Sequence, residues 1–237
     1  MSDFAKGLEG VVAGQTAVAI IDEAGGGLQY RGYPLNQLSE RSTFDEVAHL
    51  LLHGRLPKVR ELRAFRRGLK RHRALPTALK KILEKLPASA HPMDVLRTGC
   101  SALGCLEPEG GERVGVAVAE RLVGVLPSIL MYWHAFANRG ERIKTKAESE
   151  SVAGYFLELL HGKPPDPLHL QAMEASLILY AEHEFNASTF TARTITSTLS
   201  DFYSAVTGAI GALRGPLHGG ANEMAMELIQ RYQTPEE

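Results

Sequence analysis

Prolines cut this sequence into helix-length pieces. From Thr43 onward apolar residues recur at helical spacing. Pro57, Pro76, Pro87, Pro92, the group Pro164, Pro165 and Pro167, and Pro216 fall between the periodic stretches. A proline lacks an amide donor and has a fixed φ, so it is tolerated at helix starts and junctions and harms a helix interior. The spacing predicts helices over Thr77–Leu86, Asp94–Leu103, Arg113–Ala137, Ser149–Leu160, Pro167–Tyr180, Thr189–Val206 and Glu223–Tyr232. Thr43-Phe44-Asp45-Glu46 has the capping-box pattern of a further helix start, with Val47, Leu50 and Leu51 behind it and Gly54 as its stop. No strand alternation follows residue 40 and no solenoid repeat is visible. The expected fold class is mainly α, a multi-helix domain.

The first forty residues differ. Val11–Asp22 is β-branched and has no helical period, Gly25–Gly27 follows, and Leu28–Tyr33 is again extended in character. This is the pattern of a small hairpin across a glycine turn. The glycines lack the Gly-Lys-Ser/Thr of a phosphate loop and the spaced glycines of a dinucleotide fingerprint. The expected organisation is an N-terminal hairpin segment over 1–40 and a helical domain over 41–237.

A chain of 237 residues buries about 70% of its unfolded surface without a disulfide or metal staple. Its 26 basic and 27 acidic residues nearly cancel, which removes the simplest electrostatic argument for a nucleic-acid or membrane-surface protein. Two cysteines, Cys100 and Cys105, cannot form a disulfide framework and suit a reducing cytoplasm. No signal pattern is visible at the start, and no uninterrupted apolar stretch reaches 18 residues, so no membrane span is expected.

One helix is strongly basic, with Lys58, Arg60, Arg63, Arg66, Arg67, Lys70, Arg71 and Arg73 around an apolar stripe of Leu62, Phe65 and Leu69. It could meet phosphates or nucleic acid. A solvated face balanced by acids elsewhere is the plainer account, given the neutral total.

Two polar clusters lie in the last quarter. In Tyr180–Arg193, His183 and Glu184 follow an apolar helix, and Asn186, Ser188 and Thr189 cap the next. Such a junction can hold a polar ligand, although an ordinary junction with a hydrogen-bonded histidine explains the same residues. In Gly211–Glu223, His218 precedes Gly219-Gly220 and a helix starting near Ala221. The glycines allow close backbone approach or unusual backbone angles. The positive end of a helix dipole disfavours imidazolium, leaving a neutral ring able to donate to a carbonyl oxygen that gains charge.

LEGVVAGQTA, YRGY, HPMD, HEFNASTFTAR and GPLHGGANE together resemble the citrate synthase family over essentially the whole chain. HPMDVLRTGCSALG, LPSILMYW with RGERI, and GAIGALRGP are similar to its bacterial 2-methylcitrate synthase branch. The resemblance implies condensation of propionyl-CoA with oxaloacetate and water to 2-methylcitrate and CoA, the entry to propionate breakdown. It makes His218 the catalytic residue that hydrogen-bonds the thioester carbonyl, and His183 an oxaloacetate ligand. Asn186 and Ser188 become supporting substrate-site residues. His91 reads as structural, a hydrogen-bonding scaffold in a His-Pro turn ahead of a helix. The resemblance further implies a homodimer and no metal or redox cofactor. The family's second catalytic histidine, its catalytic aspartate and its carboxylate-binding arginines would lie beyond residue 237, so this chain is expected to be the large-domain portion of a longer enzyme. Citrate synthase proper, using acetyl-CoA, and a non-catalytic helical dimerisation module are the rival readings.

Overall fold

The computed structural model describes residues 12–22, 27–232 and 234. Strands β1 (Ala19–Asp22) and β2 (Gly27–Tyr30) pair antiparallel, and a two-residue β3 (Tyr33–Pro34) completes the sheet in the order β1-β2-β3. The hairpin expected from the sequence is present but shorter on its first side, where residues 12–18 are not strand. Its turn, residues 23–26, and Val11 lie outside the described residues.

Eleven helices follow among the described residues: α1 (Leu35–Arg41), α2 (Phe44–His53), α3 (Val59–Arg71), α4 (Thr77–Leu83), α5 (Pro92–Leu106), α6 (Val116–Arg139), α7 (Val152–His161), α8 (Pro167–Leu179), α9 (Ala187–Ser197), α10 (Phe202–Leu213) and α11 (Gly220–Ile229). The mainly α reading therefore holds. Helix α1, which straddles the boundary expected at residue 40, has no sequence counterpart above: at seven residues it is too short to display a period.

The Thr43 capping box starts α2 as expected, with the Thr43 amide donating to Glu46 at 2.8 Å. Gly54 ends it in the left-handed region, φ 81°. The single helix expected over Thr189–Val206 is instead two. Thr198 closes α9, Leu199 turns through φ 62°, and Asp201 caps α10 by accepting from the Ser204 amide at 3.0 Å. Ser200-Asp201 was the start signal hidden inside the apolar period.

Helix α6 is the axis of the main core. Val118, Leu122, Val125, Ile129 and Trp133 on it pack with Leu79 and Leu83 of α4, Val95 and Leu103 of α5, and Tyr203 of α10. By length and composition α6 could cross a membrane, yet 61% of its apolar window is buried inside the protein, as in a core helix. Its buried Arg121 is neutralised by Glu107, at 2.9 and 3.0 Å, and donates to the carbonyls of His72 and Ala74. A second core joins the hairpin to the helices: Ala19 and Tyr30 pack with Leu38 of α1, Val47 and Leu50 of α2 and Ile178 of α8.

The basic helix is α3. Phe65 and Leu69 are buried as expected, while Leu62 is only half-buried. Arg66 reaches across to fully buried Asp45 of α2 at 2.6 Å. Burial pushes the Asp45 carboxyl above its usual range, against the Val152 amide and Arg66, which both favour its charge.

Helix pairs approach too closely for side chains at several glycines. A Cβ at Gly104 of α5 would stand 2.7 Å from the Tyr203 Cβ of α10. Gly104→Ala is expected to cost about 1–3 kcal/mol through overpacking, read as a lowered denaturation midpoint at unchanged m-value; wild-type stability would remove this contact from the account.

Candidate functional site

The His218 turn is built backward onto α10. The His218 amide donates to the Gly215 carbonyl at 3.0 Å, the Gly220 amide donates to the same oxygen at 3.2 Å, and α11 begins at once. Gly219 has ordinary helical angles, φ −62° and ψ −30°. The unusual backbone angles expected as one reason for these glycines are therefore absent at Gly219. Close approach accounts for it instead: a Cβ there would lie 2.6 Å from the Leu213 carbonyl oxygen, and one at Gly220 would lie 3.1 Å from that of Gly215.

The start of α9 meets this turn. Asn186 is its N-cap, accepting from the Thr189 amide at 2.9 Å and from the Ser188 hydroxyl at 2.7 Å. Ser188 in turn faces His218: its amide lies 3.3 Å and its Oγ 2.9 Å from Nε2. The hydroxyl proton already given to Asn186 leaves Oγ to accept from Nε2–H, while the longer amide contact needs a lone pair on the same nitrogen, so the two contacts belong to different tautomers. Nδ1 has no hydrogen-bond partner among the described residues. The site thus offers a half-buried, oriented imidazole with Nε2 engaged and Nδ1 free of partners among the described residues.

His183 is placed differently. It is exposed, in the connection between α8 and α9, and has no hydrogen-bond partner among the described residues. What fixes its loop comes from the hairpin. The buried Tyr30 hydroxyl bridges the carbonyls of Ile178 and Glu182, each at 3.0 Å, and the β1 amide of Ile21 donates to Glu184 at 2.9 Å. Glu184 itself takes φ 55°, and its amide donates to the Glu182 carboxylate at 2.6 Å. The structure therefore brings Asn186, Ser188 and His218 into one hydrogen-bonded chain and leaves His183 outside it.

Sequence reasoning missed Tyr30, Glu182 and Glu184 as the supports of that loop, because their partners lie some 150 residues away. It also missed the partner of His91. That ring caps α5 by accepting from the Met93 amide at 3.1 Å, as its structural reading implies, and its other nitrogen meets Glu223 in the first turn of α11 at 2.8 Å. Beside Ser188, a groove of about 510 Å³ runs along α9 past Arg193, whose guanidinium stacks on Phe185.

A family model described as "Citrate synthase, C-terminal domain" matches residues 7–237. The chain belongs to the citrate synthase family. It is 56% identical over 234 residues to a 2-methylcitrate synthase of Shewanella oneidensis, covering 97% of this chain and 62% of that protein. A citrate synthase of Acidithiobacillus ferridurans is 38% identical, with 98% and 62% covered. The chain thus spans about three fifths of the length of the curated relatives it matches. Among solved structures, a citrate synthase of Thermoplasma acidophilum in ternary complex with carboxymethyl coenzyme A and oxaloacetate superposes with a TM-score of 0.89 at 29% identity, over 100% of this chain and 62% of that one.

Burial is the main reason the Glu182 carboxyl lies above its usual range, and the Glu184 carboxylate adds to it. The charged form is thus disfavoured in the folded protein. This penalty is absent below the unfolded carboxylate value of about 4.3 and grows as pH rises through the folded value. Glu182→Gln keeps an acceptor for the Glu184 amide and is expected to be more stable than wild type at pH 7, with the gap closing toward pH 4. Urea denaturation at both pH values checks this, and a gap that widens on acidification would refute it.

Proposed function

We propose that the whole protein condenses propionyl-CoA with oxaloacetate and water to give 2-methylcitrate and free CoA. The observation that carries this reading is the Nδ1 of His218, unpartnered among the described residues, with Ser188 holding the other nitrogen of the ring. Removing a proton from the carbon beside a thioester places negative charge on the carbonyl oxygen. A fixed neutral N–H at that oxygen shares the charge as it develops, without reorganisation. The enol carbon then attacks the ketone of oxaloacetate, and water cleaves the thioester to release CoA. The steps involve no net oxidation, so no redox cofactor belongs to the proposal, and it assigns the oxyanion to a hydrogen bond rather than to a metal.

His183, exposed on a loop pinned by Tyr30 and Ile21, is assigned to oxaloacetate. Asn186 and Ser188 act through His218 as positioning residues. The base for the α-proton and the cations for the oxaloacetate carboxylates are the aspartate and arginines that the family resemblance puts after GPLHGGANE. The proposal concerns the protein that unites them with this region. A cytoplasmic homodimer is part of it. Exposed Leu217, Met224, Met226 and Ile229 around α11 supply apolar surface for such further burial, and the buried and exposed cysteines are both free thiols.

The name carried by the Shewanella relative supports propionyl-CoA as donor. The second reading, acetyl-CoA and citrate, is supported by the citrate synthases among the relatives. One methylene in an apolar pocket discriminates by about 1–3 kcal/mol, so the two donors are to be compared by kcat/KM with oxaloacetate saturating. A propionyl-CoA advantage of about tenfold or more is expected; a ratio at or below one would select the citrate reading. His218→Ala is expected to lower kcat about 10²- to 10⁴-fold with the far-UV circular dichroism unchanged. Near-normal turnover would remove His218 from the chemistry.

A further inference from the structure

The basic helix is not evenly solvated. Arg66 is paired with Asp45, and Arg55, just ahead of α3, is held twice by Glu61 at 2.6 and 2.8 Å. Arg73, past its end, is buried and donates to the Ser149 and Glu150 carbonyls at 2.6 and 2.8 Å while stacking on Tyr155. At the C-terminal end of α3 the pairing stops. Lys70 and Arg71 there, Lys80 of α4, and Lys144 and Lys146 from the connection between α6 and α7 line one cavity of about 760 Å³. None of these five has a carboxylate within ion-pair distance among the described residues. Glu148 is the one acid in the lining, and its backbone carbonyl, 3.4 Å from the Lys70 Nζ, is its contact with these cations.

Five cations around one concavity repel one another, and low-dielectric walls concentrate that field inside. In a chain of net charge −1, such a concentration is local rather than a property of the whole surface. The walls are fixed independently of any ligand: Arg73 ties the chain at 149–150 to the end of α3, and Tyr132 of α6 lies under Lys80, 5.4 Å from its Nζ. The volume falls within the range of about 300–1,000 Å³ typical of small-molecule sites. A concavity of this size suits a compact polyanion better than a nucleic-acid strand, which needs an extended track.

We infer that the cavity between α3, α4 and the 144–148 connection is a binding site for a polyphosphate anion of up to nucleoside-triphosphate size. It shares no residue with the His218 turn and does not depend on the proposed condensation. Lys144 and Lys146 supply donors from the connection between α6 and α7, and Lys70 and Arg71 supply them from the end of α3.

Isothermal titration calorimetry of this chain with magnesium-free ATP and with inorganic tripolyphosphate tests it. Both are expected to bind at one site per chain and to compete. Lys144→Glu combined with Lys146→Glu should weaken both by about tenfold or more, while Arg60→Glu, outside the cavity on the same helix, leaves them unchanged. Equal affinities assign recognition to the phosphates, and tighter ATP adds a contact to the base; both outcomes keep the site. Absence of saturable binding, indifference to the lysine pair, equal loss in Arg60→Glu, or tighter binding of a single-stranded DNA oligonucleotide would each overturn it.

Discussion

The approach of one element to another at glycines, closer than a Cβ permits, sets the geometry on which the rest depends. Gly104 lets α5 and α10 touch, Gly208 does the same for α10 against Ile195 of α9, and Gly219 lays the His218 turn on the last carbonyls of α10. Because α9, α10 and the turn are packed this closely, Ser188 at the start of one helix and His218 after the end of another meet within hydrogen-bond distance. Interiors packed this densely have little room to adjust. A ring held this way has one nitrogen engaged and the other open, the fixed placement that stabilising a developing oxyanion requires.

Most of the helices were legible because period and punctuation agree. Thr43 with Glu46, Gly54, and the prolines before α4, α5 and α8 mark boundaries that the structure keeps within a few residues. The break between α9 and α10 was hidden because Leu199 carries no turn signature; its left-handed φ is imposed by the packing of the two helices and by the Asp201 cap. Short α1 was invisible for want of length.

The site was half legible. Glycines beside His218 and the Asn186 cap are local signals, and they locate the ring and its support. The partner that orients the ring is not local: Ser188 lies thirty residues earlier in the chain. The exposure of His183, and the hairpin contacts that hold its loop, arise from tertiary pairing that no sequence window contains. Charge was misleading in a similar way. The run Lys58–Arg73 reads as one basic face, whereas the folded chain neutralises one part through Asp45 and backbone carbonyls and leaves the other part open.

Tyr30 and Ile21 are made early in synthesis, yet the groups they bind, from Ile178 to Glu184, follow roughly 150 residues later. The hairpin is too small to be stable by itself, and its core partners α1 and α2 leave one side uncovered until α8 arrives. Closing so long a loop slows assembly, and the docking of the chain's first strands and the shaping of the His183 loop are coupled through the same contacts.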